Sequence, residues 1–183
     1  MINLIRLTIK SCLFIFLIFL NSCYSANGLL REAKKENQEI VSDDIEGLWS
    51  NSNKDRPYFD LHRILKENIT WDIERDTTKG TTIKLKKIDD QTIEVFKIKN
   101  DLIVDQFYLK GVFEMKCFVV DRNLKLFPFF PIYYVHLERK TVIGINNSDQ
   151  LVVASGLNRS AMIVVMAGGK NYKSITTHDR IKS

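Results

Sequence analysis

The sequence predicts an all-β fold, a single antiparallel β-barrel or sandwich, behind an N-terminal signal helix and a polar tether. Three observations carry this. From Ile45 onward the chain breaks into short β-favouring runs separated by turn clusters at roughly 8–12-residue spacing. No long amphipathic helix interrupts them. The 183 residues are enough for one domain with a proper core and show no internal repeat.

The elements follow in order. Ile45 to Asn51 reads as the first strand and Tyr58 to Leu65 as a second, with Phe59, Leu61 and Leu65 on one face. Ile69, Trp71 and Ile73 alternate with Thr70, Asp72 and Glu74, the pattern of a half-buried strand. Thr81 to Lys99 predicts a hairpin turning at Ile88-Asp89-Asp90, with Leu85 opposite Ile93, Ile83 opposite Val95 and Lys84 across from Glu94. Lys84, Lys86, Lys97 and Lys99 then read as a solvated face. Leu102 to Leu109 and Val112 to Val120 follow, joined by Lys110-Gly111. Pro128 and Pro131 argue against a central strand in the first half of Leu124 to Leu137, whereas Ile132 to Leu137 can be one. Thr141 to Ile145 predicts a short strand. Leu151 to Ala154 and Ala161 to Ala167 predict a last hairpin around Gly156 to Arg159, and Tyr172 to Ile175 a short edge strand. The domain is placed at 45–176, with a frayed tail at 177–183.

The first 22 residues have the composition of an export signal. Arg6 and Lys10 form a basic start, and Cys12 to Leu20 is an apolar run too short to span a bilayer core. An uncleaved anchor from Met1 is the other reading, at the cost of burying those two cations. Leu20-Asn21-Ser22-Cys23 resembles the lipobox of bacterial lipoproteins, from which Asn21 departs. The resemblance implies cleavage between Ser22 and Cys23, a diacylglyceryl thioether on Cys23 and an acylated N-terminus, with the lipid bilayer as partner. Tyr24 stands where the inner-membrane retention signal has Asp, so the resemblance favours the periplasmic face of an outer membrane. Ordinary signal-peptidase cleavage after Ser25 or Ala26 is the competing reading. Residues 23–44 then form the lipidated N-terminus and tether, with one or two loose helical turns from Leu29 to Gln38; a docked helix is the alternative.

The formal charge is +5, and +3 once Arg6 and Lys10 leave with the signal. Both signs are interspersed, which does not argue for a nucleic-acid partner. Of the three cysteines, Cys12 leaves with the signal. Cys117 lies in an apolar run and reads as a buried lone thiol if Cys23 is acylated, or as a partner for Cys23 if it is not.

Few residues point to chemistry. His62, His136 and His178 are far apart without metal-ligand spacing, and read as surface or hydrogen-bonded groups. Asp55 with Asp60, or Glu94 with Asp105, could form a carboxylate pair. Nucleophile-elbow, zinc-protease, P-loop and Cys-x-x-Cys motifs are absent, so no catalytic residue, metal or cofactor is expected. Gly47-Leu48-Trp49 resembles the Gly-x-Trp of lipocalin-like barrels, although the later Thr-Asp-Tyr signature is missing. That resemblance favours the barrel over the sandwich. It implies structural roles for Gly47 and Trp49, with Arg159 or Arg139 stacked on the indole. Phe127, Phe129 and Phe130 are the candidate contact residues, either core or a patch for a ligand or partner. The expectation is a non-catalytic binding module carrying a small apolar ligand, or else an interaction protein such as an envelope assembly subunit or inhibitor.

Overall fold

The structure, a computed structural model, describes residues 25–53, 60–71, 80–129, 133–163 and 166–181, and at 128–129, 163 and 166–167 the backbone. The signal segment, with Ser22 and Cys23, lies outside the described residues, as do Asp55 and Phe130.

The fold is all-β and barrel-like. Among the described residues two helices, α1 (Ala26–Lys35) and α2 (Leu61–Lys66), accompany nine strands. These are β1 (Ile40–Ser42), β2 (Gly47–Ser50), β3 (Thr81–Lys87), β4 (Thr92–Lys99), β5 (Leu102–Glu114), β6 (Cys117–Phe129), β7 (Tyr133–Asn146), β8 (Gln150–Ile163) and β9 (Met166–Asp179). Strands β2 to β9 pair antiparallel in chain order and curl into a half-barrel, while β1 pairs with β7. The curl centres on β5, whose first part pairs with β4 and whose last residues pair with β6. Gly111 sits at that change of partner, where any Cβ would collide with the Val119 carbonyl. The first and last strands meet at one end: the Ile181 N–H donates to the Leu48 carbonyl at 2.8 Å, and Trp49 bridges Arg180.

The inner face is filled rather than hollow. Trp49, Leu61, Leu65, Ile83, Phe118, Ile143 and Val153 belong to one buried cluster, with α2 seated among the strands. Asp60 caps α2 by accepting from the Arg63 N–H at 2.8 Å, and Leu61, Ile64 and Leu65 turn inward. The described part of the stretch predicted as a second strand is therefore a capped helix. Its Leu61-Ile64-Leu65 spacing, closing on Asn68, has the i, i+3, i+4 period rather than alternation. The strand predicted at Ile69 is also not formed where it is described: Ile69 is an exposed turn residue.

Helix α1 covers the outer face of β6–β9. Ser25 caps it, and Leu29 and Ala33 are buried against Val119, Val142, Val152 and Ala154. A fully buried leucine contributes about 1.5–3 kcal/mol. The stretch expected to be a loose tether is instead docked, first as α1 and then as β1.

The β3–β4 hairpin forms as expected, but with a different register. Leu85 faces Val95, Ile83 faces Lys97, and Lys86 rather than Lys84 faces Glu94. A two-residue slip preserves the faces, because side chains alternate with period two. Parity also turns Lys97 inward, where it is fully buried and not part of a solvated face. Lys110-Gly111 is a bend within β5, and the turn comes at Met115-Lys116. β8 runs unbroken through Gly156–Arg159, and the expected edge strand is the middle of β9. Pro128 sits within β6, beyond the point where β6 has lost β5; among the described residues this half of the strand pairs with β7 alone, as an edge that tolerates proline.

Candidate functional site

Trp49 is fully buried, and its indole N–H donates to the Ile45 carbonyl at 3.0 Å. The cation on its ring is Arg180, 4.4 Å from the centroid, and neither Arg159 nor Arg139. Gly47, at φ 142°, lies under that guanidinium, where a Cβ would come within 3.0 Å of Nη1. Arg180 also donates to the Glu46 carbonyl at 2.9 Å and, through Nε, to Asp149 at 3.0 Å. The described part of the segment expected to fray, 177–181, is thus pinned, and His178 within it is buried. Burial lowers the His178 pKa to about 4. Its Nδ1 lies 3.0 Å from the Ser50 carbonyl, so Nδ1 carries the hydrogen and Nε2 faces Thr176 as acceptor.

A polar cluster sits on one side of α2. His62 Nε2 is 2.8 Å from Asp105, Lys66 also reaches Asp105, and Lys97 is Asp105's cross-strand neighbour. Burial lowers the His62 pKa against the opposing pull of Asp105. Burial works to raise the Asp105 pKa, but the hydrogen bonds from Lys66 and His62 outweigh it and leave the carboxyl below its usual range. His62 is therefore a buried, paired histidine rather than a surface one. Glu94 faces away from this cluster and takes the Gln106 amide at 2.6 Å, so Glu94 and Asp105 do not pair.

On the other side of α2 lies a cleft of about 330 Å³ between the helix and β7–β9. Ile64, Leu157 and Tyr172 give it apolar walls; Arg63, Glu67 and Arg139 form its ionic rim. Glu67 accepts from Arg63 Nε at 3.0 Å and pairs with Arg139, whose guanidinium stacks on Trp71 at 5.4 Å. Trp71 donates to Asn123 at 3.2 Å. Arg139 is nearly buried, and its Nε has no hydrogen-bond partner among the described residues. Ser155 lies at the cleft floor beside the Thr141 hydroxyl, 3.1 Å away, with no histidine as its hydrogen-bond partner in the described residues. The cleft thus sets fixed charges beside an apolar wall.

Cys117 is a buried thiol, with its pKa pushed up to about 11 by burial. Among the described residues no His/Cys/Asp/Glu group has metal-site geometry, and no helix is long and apolar enough to cross a membrane. Phe127 is exposed, with Lys125 over its ring at 5.0 Å; Phe129 has its backbone in β6 opposite Tyr133. The β4–β5 hairpin also exposes Leu102, Ile103 and Val104.

Sequence reasoning missed Arg180 and the Arg63–Glu67–Arg139 set. The Asp60 cap and Arg63–Glu67 spacing carried the helical signal that would have exposed the second; nothing local marked Arg180. No family model, curated protein or solved structure matches this chain.

Proposed function

We propose that this chain is a non-catalytic binding module of a bacterial cell envelope, held on a bilayer by acylated Cys23, and that it binds a small amphipathic molecule in the cleft between α2 and β7–β9. The observation that carries the binding reading is that cleft. Its volume of about 330 Å³ is at the lower end of small-molecule sites. Its apolar walls suit a hydrocarbon body, and the Arg63–Glu67–Arg139 rim suits a polar head. The filled inner face argues against a ligand enclosed in the barrel centre. The Gly47–Trp49–Arg180 arrangement and the consecutive strand order support the lipocalin-like reading of the architecture.

Ser25 supports the lipobox reading of the N-terminus. Its hydroxyl caps α1 by accepting from the Gly28 N–H at 3.0 Å. Cleavage after Ser25 or Ala26 would remove that cap, worth about 0.5–2 kcal/mol, whereas cleavage before Cys23 keeps it. Tyr24 favours the outer membrane, periplasmic face.

Displacement of a fluorescent fatty acid from the purified mature protein tests the cleft. Wild type should bind, and Leu157→Trp, which fills the cleft, should not while keeping its unfolding midpoint. Equal binding by both proteins would rule the cleft out. A second reading, a protein-interaction role as an assembly subunit or inhibitor, is favoured by the exposed Leu102–Val104 run. A photo-crosslinker at Ile103 should then give one discrete adduct in cells; a smear or none would sink it.

A further inference from the structure

The outer half of β6–β9 is a four-stranded blade, and its pairing aligns charges that the sequence scatters. Lys125 is opposite Leu137, Leu137 opposite Arg159, and Arg159 opposite Lys170. Directly opposed residues share a face, so three exposed cations and no acid form one row across the blade. Beyond that row the chain changes character. Residues 126–136 and 160–169 contain no Asp, Glu, Lys or Arg. The described parts of these stretches, 126–129, 133–136, 160–163 and 166–169, are the ends of β6, β7, β8 and β9, which antiparallel order brings to the same end of the sheet. Among the described side chains there, Leu126, Phe127 and Tyr133 are exposed.

The start of α1 lies near this row but on the opposite face of the sheet, the face that Glu138 shares with Val142. Ser25 to Asn27 share a surface depression with Arg122, Glu138 and Lys140, and Glu138 is the residue after Leu137. Only Tyr24 separates Cys23 from the capping Ser25, a reach of about 7 Å at full extension. With α1 docked, the anchor has almost no slack.

We infer that the uncharged end of this blade, where Leu126, Phe127 and Tyr133 are exposed, inserts into the lipid leaflet that holds the Cys23 acyl chains, with Lys125, Arg159 and Lys170 on anionic headgroups. The inference rests on the reading of Cys23 as the lipid anchor. From Lys125 to Phe129 the strand advances roughly 13 Å, within one leaflet of a hydrocarbon core about 30 Å thick. Aromatic side chains next to a cationic row match the chemistry of a membrane interface. Among the described residues β6 pairs only with β7 beyond Val120, and such an edge keeps the insertion shallow, because unpaired backbone groups do not enter hydrocarbon. Pro128 removes one such donor from that edge. The consequence is a fixed orientation, with the domain leaning on the membrane at a second point rather than swinging from its lipid.

Tryptophan depth measurement tests this with the full mature chain in vesicles of phosphatidylethanolamine with a minority of phosphatidylglycerol. Tyr133→Trp reports from the last described row of the blade and Ile88→Trp from the β3–β4 turn at the opposite end; both sites are exposed. Lipid brominated high on the acyl chain should quench and blue-shift the Tyr133→Trp emission and leave the Ile88→Trp contribution unchanged. The triple variant Lys125→Glu, Arg159→Glu, Lys170→Glu should lose that quenching while still floating with vesicles. If wild type floats but the two tryptophans are quenched alike, the blade does not insert, and the anchor reading stands. If Cys23→Ala floats as well as wild type with Tyr133→Trp still quenched, the anchor reading fails and the insertion stands. Failure of wild type to float overturns both.

Discussion

Arg180→Ala removes the contact that closes the barrel end, and its cost follows from what Arg180 touches. The guanidinium lies 4.4 Å from the Trp49 ring and donates to the Glu46 and Asp44 carbonyls at 2.9 and 3.3 Å. A partly desolvated cation–π contact contributes about 0.5–2 kcal/mol, and charge-assisted hydrogen bonds about 1.5–3 kcal/mol each when shielded from water. These bonds are exposed, so their contribution is discounted, and the expected loss is about 3 kcal/mol. For a domain of this length, that lowers the melting temperature by about 6–12 °C. Urea unfolding followed by Trp49 fluorescence should show a lower midpoint at unchanged slope. Arg180→Lys should recover only part of the loss, since an ammonium cannot both stack flat and reach two carbonyls. A loss below about 0.5 kcal/mol in the alanine variant would refute the closure argument.

Further outcomes follow from the same contacts. Glu67→Gln leaves the nearly buried Arg139 without its anion and should cost about 2–3 kcal/mol in urea unfolding, with weaker fatty-acid displacement at the cleft. His178 has a pKa near 4 in the folded state against an ordinary 6.5, so the unfolded chain takes up the proton first as pH falls. Its contribution is complete above pH 6.5 and is lost on acidification through that window, reaching about 3 kcal/mol by pH 4; His178→Asn should flatten this part of the stability–pH curve. Cys117 should be silent to a thiol reagent in the folded mature protein and react as one thiol in urea; reaction without denaturant would contradict its burial.

Much of the fold was legible because strands announce themselves by alternation. Ile83, Leu85, Ile93 and Val95 were assigned to one buried face, and all four are buried. Their register was not legible, because a two-residue slip leaves that alternation intact and only the turn fixes the pairing. Helix α2 was misread because six residues cannot display enough turns to outweigh Phe59, Leu61 and Leu65 read as alternating. The length of β8 was hidden by Gly156 and Asn158, which carry turn chemistry but lie in a strand whose neighbours on both sides supply its hydrogen bonds. The candidate cleft was not legible at all. Arg63, Glu67, Arg139 and Leu157 come from three elements, and only tertiary pairing brings them together. The cationic row is similar: Lys125, Arg159 and Lys170 are unremarkable until the register aligns them.

The most direct measurement is the intact mass of the N-terminal peptide of the chain recovered from membranes. A peptide beginning at Cys23 with a diacylglyceryl thioether and an acylated amine is the predicted result. A chain beginning at Ala26 or Asn27 without lipid, or one retaining Met1, would contradict it.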